Sequence, residues 1–296
     1  MATFGISTHL FHESRLCRDH LVHVAAHGFD AVEVFATKQH FDYRDDRAIA
    51  ELAEWLTDTR LVLHSMHAPI VDGIRNGKWV GSYSNASGDE ARRKAAIAEA
   101  QAALRVAERI PYRYLVVHLG MPAAEEVPPP LDDARGALSL SKGGDNRRDA
   151  ARRSVEELVA LAAAVNVRVA LEVIPNPLSG AGPLVHLIEE DLEGLDAGIC
   201  LDYGHAHLMG DLGEAIETVS GHLLTTHVHD NGGRRDEHLV PFAGNINWDL
   251  AIVETQKVGY DGVMMLEVGD GGGDPVDVLK RSARARERLD KAFVTF

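Results

Sequence analysis

The chain has 296 residues, of which 45% are hydrophobic, which is enough for one large domain with a sizeable core. Its formal net charge of −15 argues against broad electrostatic attachment to nucleic acid or to an anionic membrane. No apolar stretch is long enough to predict a transmembrane helix, and the residues from Met1 to Ser7 predict a strand rather than a targeting segment. Cys17 and Cys200 each lie in an apolar pattern, so we predict two reduced core thiols in a cytosolic protein.

Short apolar runs alternate with amphipathic stretches along the whole chain. The predicted strands are Thr3–Ser7, Ala31–Phe35, Val62–Ala68, Tyr114–Leu119, Arg168–Val173, Gly198–Asp202, Leu223–His229 and Gly262–Val268. The predicted helices lie at 15–27, 45–59, 89–109, 147–165, 183–192, 211–219, 248–257 and 275–292. Nearly continuous apolar character is typical of parallel strands that are covered on both faces. The alternation therefore predicts an α/β fold, and eight units predict a single (β/α)8 TIM barrel of about 250 residues.

Two longer segments interrupt the alternation. Residues 71–88 form a polar loop after the third strand, and we predict that this loop acts as a lid. Residues 121–146 follow the fourth strand and are predicted to be a loop insertion in one domain that spans residues 1–296. Both segments follow the C-terminal ends of strands, where the active-site loops of TIM barrels lie.

Histidine and acidic residues mark the predicted C-terminal ends of six consecutive strands, the third to the eighth. They are His67, His118, Glu172, Asp202, His205, His227, Asp236, His238 and Glu267. A carboxylate in an apolar strand is costly to bury unless it is paired or bound to a cation. In a barrel all these side chains would project into one mouth. Imidazole and carboxylate donors without thiolates predict a site for a divalent metal, namely Mn²⁺, Zn²⁺, Co²⁺ or Mg²⁺.

With these residues in place, the chain resembles the xylose isomerase-like barrels, which include sugar isomerases and epimerases together with endonuclease IV, an enzyme that repairs abasic DNA. The motifs are His67-Ala68-Pro69, Val117-His118-Leu119-Gly120, Leu171-Glu172, Asp202-x-x-His205, His227-x-His229-Asp230, Asp236-x-His238 and Leu266-Glu267. The resemblance covers nearly the whole chain apart from residues 121–146.

The resemblance to the sugar epimerases implies one divalent metal held by four residues. The matching positions here are Glu172, Asp202, His227 and Glu267. It also implies that Glu172 and Glu267 move a substrate proton, one from each face of the sugar, through an enediolate. His205 would then orient the substrate or shuttle a proton. The expected function is therefore isomerisation or epimerisation of a small sugar, and the sequence is compatible with an oligomer.

Two alternatives stay open. The resemblance to endonuclease IV implies up to three zinc ions and a phosphodiesterase acting on abasic DNA. Its additional ligands match His67, His118, His205, Asp236 and His238, and the segment from Val34 to Gln39 faintly resembles its DNA-contacting second loop. The mouth loops lack a basic stripe interleaved with aromatic residues, which disfavours nucleic acid as the partner. A metal-dependent dehydratase or lyase acting on a keto-polyol is the other alternative, since the same enediolate chemistry can expel a β-hydroxyl group.

Four further residues have two interpretations each. Glu33 either hydrogen-bonds a substrate hydroxyl or pairs with a basic neighbour. Asp230 either orients a ligand histidine or caps a turn. Trp79 and Trp248 either stack on a sugar ring or pack in the core.

Overall fold

The computed structural model describes residues 2–75, 78–120 and 144–293, and its sheet is a closed parallel barrel. Each strand pairs with the next along the chain, and the last pairs back with the first. The barrel strands are β1 Thr3–Ser7, β2 Ala31–Phe35, β3 Val62–His67, β4 Tyr114–Val117, β5 Arg168–Glu172, β6 Ala197–Asp202, β7 Leu223–Val228 and β8 Val263–Leu266. The predicted single (β/α)8 barrel is confirmed.

Most strands end one or two residues before their predicted C-terminal ends. The fourth strand was predicted to reach Leu119 but ends at Val117, since the chain turns at Gly120 with a φ of 90°. The polar residues after each ladder therefore lie in short loops at the mouth. Strand residues such as Leu115, Leu171 and Ile199 are fully buried, as expected for strands with the barrel interior on one face and helices on the other.

Helices follow the strands and cover the outside of the barrel. The α-helices in the described residues are Arg18–Ala26, Asp46–Thr59, Glu90–Leu104, Gly144–Ala163, Ala181–His186, Tyr203–Met209, Leu212–Val219, Trp248–Lys257 and Pro275–Phe293. Short 3₁₀ helices span Thr8–Phe11, Arg105–Glu108 and Ser220–His222, and a π-helical turn spans Leu187–Asp191. Several helices begin at an Asp or Asn whose side chain accepts from first-turn N–H groups, which explains why they start there. These capping residues are Asp45, Asp89, Asp202, Asp211 and Asn247.

The loop at 71–88 contains a short antiparallel hairpin, which the sequence analysis did not predict. Gly73–Arg75 pairs with Lys78–Val80, and Gly81 follows with a φ of 70°, a conformation that favours glycine. The hairpin is too short for its alternation to be read from the sequence. Residues 121–143, which hold most of the predicted insertion, lie outside the described residues, and a helix begins at Gly144.

The prediction for the two cysteines is half right. Both are free, and Cys200 is buried in β6 as expected. Cys17 is exposed, because it precedes the helix Arg18–Ala26 as its N-cap residue while the neighbouring Leu16 is the residue that enters the core.

None of the helices in residues 2–75, 78–120 and 144–293 combines the length and the apolar character needed to cross a membrane.

Candidate metal centre

The carboxyl ends of β3 to β8 bring the predicted site residues together at one mouth of the barrel. Parallel registry places Asp202 of β6 beside His227 of β7, and Glu172 of β5 beside Cys200 of β6. Three groups of side chains have donor atoms within 4.8 Å of one another in the described part of the chain. We call them the central group (Glu172, Asp202, His227 and Glu267), the β3–β4 group (His67, His118 and Glu172) and the β6–β7 group (His205, His229, Asp236 and His238).

The central group converges on one nitrogen of His227. The Nδ1 atom of His227 lies 3.3 Å from Glu172 Oε1 and 3.3 Å from Glu267 Oε2. It also lies 3.9 Å from Asp202 Oδ2. All four side chains are buried, with at most 3% of each residue exposed. Three carboxylates around one imidazole nitrogen form a compact, water-excluded set of oxygen and nitrogen donors.

The β3–β4 group shares Glu172 with the central group. The Oε2 atom of Glu172 lies 3.1 Å from His118 Nε2 and 3.3 Å from His67 Nε2. The two imidazole nitrogens are themselves 3.3 Å apart. The main-chain oxygen of His118 accepts a hydrogen bond from Asn85 Nδ2 at 3.2 Å, which fixes the backbone that carries this histidine.

The β6–β7 group contacts the central group through His205 and His229. Asp236 Oδ2 lies 3.0 Å from His205 Nε2 and 3.2 Å from His238 Nε2. His205 Nδ1 in turn lies 3.3 Å from Asp202 Oδ2 and 3.5 Å from Glu172 Oε1, so His205 connects this group to the central one.

His229 is a member of the β6–β7 group that was quoted in a motif but not predicted as a site residue. Its Nε2 atom lies 3.0 Å from Asp202 Oδ1, and its ring stacks on His238 with centroids 4.0 Å apart. A methyl group at Gly204 would overlap the His229 ring, so glycine is required there. The available sequence signal was the His227-x-His229 spacing, which places both side chains on one face of an extended segment.

Several donor atoms of the three groups are placed to coordinate a divalent cation but do not form hydrogen bonds with one another. Glu172 Oε1, His205 Nδ1 and His227 Nδ1 are buried and have no hydrogen-bond partner among the described residues, although each has an oppositely charged neighbour nearby. Unpartnered buried polar atoms are costly, and converging lone pairs are what a metal site requires.

In three candidate ligand histidines, the ring nitrogen that faces away from the mouth (the outer nitrogen) is held by a hydrogen bond. His67 Nδ1 donates to the main-chain oxygen of Ala68 at 2.9 Å, and His238 Nδ1 donates to that of Glu267 at 2.8 Å. Because a carbonyl only accepts, both rings direct Nε2 to the mouth, where it can bind a cation once it has given up its proton. His227 Nε2 donates to Glu33 Oε2 at 3.1 Å, so this ring presents Nδ1 instead. Such outer hydrogen bonds are typical of metal-bound imidazoles.

Charge compensation in the mouth shifts several pKa values. Burial alone would raise the pKa values of Glu172 and Glu267, but the neighbouring imidazoles outweigh it and hold both well below the usual range. For Glu172 the main opposing group is His118, and for Glu267 it is His227. Burial disfavours the charged form of His238, yet the Asp236 carboxylate raises the pKa of His238 to about 9. Both glutamates are therefore ionised at neutral pH.

Asp230 and Trp248, for which the sequence left two interpretations each, have structural roles. Asp230 accepts hydrogen bonds from the main-chain N–H groups of Asn231, Phe242 and Ile246 and from the indole of Trp248. It therefore organises the loop after β7. Trp248 is 1% exposed and packs in the core, which excludes stacking on a sugar. The side chain of Trp79 lies outside the described part of the structure.

Comparison with known proteins agrees with this architecture. The chain matches the profile of the xylose isomerase-like TIM barrel family over residues 21–291. It is 29% identical over 273 residues to the uncharacterized protein MJ1311 of Methanocaldococcus jannaschii, which covers 89% of this chain and 83% of that protein.

Two crystal structures are similar along nearly their whole length. A D-tagatose 3-epimerase-like protein superimposes with a TM-score of 0.76 and 25% identity, covering 99% of this chain and 97% of that one. The IOLI protein with a bound zinc atom superimposes with a TM-score of 0.75 and 16% identity, covering 100% of both chains. The chain therefore belongs to the xylose isomerase-like TIM barrel family.

Proposed function

We propose that the chain is a divalent-metal-dependent isomerase or epimerase that acts on a small sugar or sugar derivative. The observation that carries this proposal is the pair of buried glutamates, Glu172 on β5 and Glu267 beyond β8, which approach one His227 nitrogen to 3.3 Å each. The similarity to a D-tagatose 3-epimerase-like protein at 25% identity supports the substrate class.

Moving a proton at a carbon next to a carbonyl requires a base on one side and an acid on the other. Glu172 and Glu267 are ionised, since their neighbouring imidazoles hold their pKa values well below the usual range, so either one can accept the proton. The other glutamate takes a proton from water or from a substrate hydroxyl and delivers it to the opposite face of the same carbon or to the neighbouring carbon. His205 is 3% exposed and held by Asp236, and we assign it to orienting a substrate hydroxyl or relaying a proton.

The central group would hold the catalytic cation, with Glu172, Asp202, His227 and Glu267 as ligands. When bound, Mn²⁺, Co²⁺, Zn²⁺ or Mg²⁺ would polarise the substrate carbonyl and its neighbouring hydroxyl and so acidify the α-hydrogen. The zinc atom in the IOLI protein supports the view that a barrel of this kind accepts such an ion.

Solvent-exchange measurements test this proposal directly. Protein loaded with Mn²⁺ or Co²⁺ is incubated in D₂O with a panel of ketoses and aldoses that includes D-tagatose, and the products are followed by NMR. We expect an isomeric sugar that carries deuterium at the reacting carbon. Glu172→Gln and Glu267→Gln should each lower turnover by roughly 10²–10⁴-fold, the range for a general acid–base group. A fully loaded protein that neither converts nor deuterates any sugar in the panel would contradict the proposal.

A second candidate function is phosphodiester cleavage at a three-zinc centre on abasic DNA. The observation that favours it is the presence of the β3–β4 and β6–β7 groups next to the central group, with Glu172 shared by the β3–β4 and central groups. One contact weighs against it. Lys38, in the segment that resembles a DNA-contacting loop, lies 2.8 Å from Asp72 and 3.1 Å from Glu99, so its charge is already paired.

Metal stoichiometry and one cleavage assay separate the two candidates. Close to three zinc ions per chain together with cleavage of a synthetic abasic duplex would favour the nuclease. One metal per chain and an intact duplex would favour the sugar enzyme. A dehydratase acting on a keto-polyol would use the same two glutamates, and its product would be lighter than the substrate by one water in mass spectrometry.

The two free cysteines support a cytosolic location, which we propose with the function.

A further inference from the structure

We propose that Glu33, on β2, is a positioning residue that fixes the ring of His227 so that its Nδ1 atom faces the metal. The inference rests on the metal centre of the proposed function and not on the sugar chemistry. It extends the site to a strand that contributes no ligand to the three groups.

The contacts of Glu33 join it to His227 across the barrel interior. Its Oε2 atom accepts a hydrogen bond from His227 Nε2 at 3.1 Å and one from the Ser65 hydroxyl at 2.8 Å. Glu33, Ser65 and His227 are all 0% exposed, so water does not compete for these bonds. Because the carboxylate accepts, Nε2 of His227 carries a proton, and Nδ1 is the nitrogen that faces Glu172 and Glu267 and that a cation would bind.

In three candidate ligand histidines, the ring nitrogen that faces away from the metal position donates a hydrogen bond. Of these three, His227 is the one that donates to a side chain. His67 and His238 donate to main-chain oxygens, which no substitution removes. The orientation of His227 instead depends on a side chain, Glu33, that can be replaced. The sequence thus offers a direct way to change the orientation of the central imidazole without touching a ligand.

The burial of Glu33 indicates that its negative charge is compensated by groups at the barrel mouth. A carboxylate removed from water costs several kcal/mol unless a positive charge compensates it. Within the described residues Glu33 has no lysine or arginine in ion-pair contact, and its charged neighbour is His227. The compensating charge must therefore lie on His227 or on the cation that His227 binds. Its second oxygen, Oε1, is buried without a hydrogen-bond partner among the described residues, which a purely structural carboxylate would not tolerate well.

Metal affinity provides the main test. The dissociation constant for Mn²⁺ is measured by EPR on chelator-treated protein, for wild type, Glu33→Ala, Glu33→Gln and the control Ser65→Ala. We expect Glu33→Ala to weaken Mn²⁺ binding by about 10–100-fold, the usual cost of losing an outer partner of a metal-bound histidine. Glu33→Gln keeps an acceptor oxygen and should lose less. Ser65→Ala removes the other hydrogen bond to Glu33 and should change the constant by less than about threefold.

A spectroscopic readout separates orientation from general damage. In zinc-loaded protein labelled with ¹⁵N-histidine, the His227 signal is assigned by its loss in His227→Gln. Wild type should show a protonated Nε2, and Glu33→Ala should show a changed tautomer or exchange broadening at this ring alone.

Each result of the Mn²⁺ binding experiment either supports or overturns the proposed role of Glu33. Folded Glu33→Ala that binds Mn²⁺ as wild type does overturns the proposal, and so does a wild-type protein that binds no metal. If Glu33→Ala does not fold, Glu33→Gln decides: weaker binding with Ser65→Ala unchanged supports the proposal, and wild-type binding overturns it. A protein that binds Mn²⁺ but converts no sugar leaves this test intact, so its result is independent of the substrate.

Discussion

The Oε2 atom of Glu172 lies 3.1 Å from Nε2 of His118, while its Oε1 atom is turned away from His118 toward the central group. One fully buried carboxylate therefore takes part in two donor groups. Its removal should affect both groups at once, whereas removal of a residue that belongs to one group should affect that group alone. Because the two kinds of substitution should differ in this way, measuring the metal content per chain tests the site.

Glu172→Gln is expected to lower the metal content more than any single substitution outside the central group. The amide keeps the shape of the side chain but loses the charge that both groups share. Elemental analysis of protein purified without chelators gives the content per chain, and circular dichroism checks the fold. Metal content equal to that of wild type would show that Glu172 is not a ligand.

His118→Gln should separate a one-metal centre from a multinuclear one. If the central group alone binds the functional metal, the variant keeps about one metal per chain, while His227→Gln loses it. Loss of one equivalent from His118→Gln, out of several in wild type, would instead show that the β3–β4 group is occupied. The same elemental analysis reports both variants side by side.

The metal-free protein should lose stability as the pH rises from about 6.5 to about 9. Burial opposes protonation of His238, but Asp236 raises its pKa from 6.5 to about 9, so the folded state holds this proton more tightly than the unfolded state. The stabilisation is complete below pH 6.5 and is lost as the pH passes through 9, with an upper bound of about 3 kcal/mol. Urea unfolding of chelator-treated protein at pH 6.5 and 9.5 measures it. His238→Gln should lose less over this range, and an equal loss in both proteins would refute the assignment.

Asp230→Ala should destabilise the protein by about 2–4 kcal/mol, because it leaves three main-chain donors and the Trp248 indole without their acceptor. Asp270→Ala is the matched control, since Asp270 accepts from Gly272 in an exposed loop. Chemical denaturation gives both values. Similar stabilities for the two variants would mean that water replaces Asp230 without cost.

Lys38→Met should loosen the loop that carries the hairpin and leave the metal content unchanged. The Lys38 ammonium bonds to Asp72 and Tyr83 in this loop and to Glu99 on the helix Glu90–Leu104. Hydrogen exchange at Asp72 and Tyr83, whose N–H groups donate to the main-chain oxygens of Val80 and Ile70, reports its opening. Faster exchange with an altered KM would support the predicted lid. Unchanged exchange would show that the loop is held by other contacts.

The barrel itself was predictable because its signal is repeated. Runs such as Val167-Arg168-Val169-Ala170-Leu171 are nearly continuous in apolar character. Eight such runs alternate with helical patterns, so an error at one end does not alter the count. The strand pair Gly73–Arg75 and Lys78–Val80 and the helix Tyr203–Met209 were missed for the opposite reason. Each is too short to show a period, and the helix starts where Asp202 caps it.

The chemical type of the site also follows from sequence, since buried carboxylates and histidines at strand ends need compensation wherever the chain places them. What the sequence by itself determined is thus the barrel and the set of polar residues at its mouth. Only the tertiary structure decided how these residues divide: that Glu172 serves two groups, that His229 joins His205, Asp236 and His238, and that Glu33 reaches His227 from a strand 194 residues away in the chain. Those relationships depend on side-chain directions across a closed barrel, and local patterns along one strand carry no information about the strand opposite.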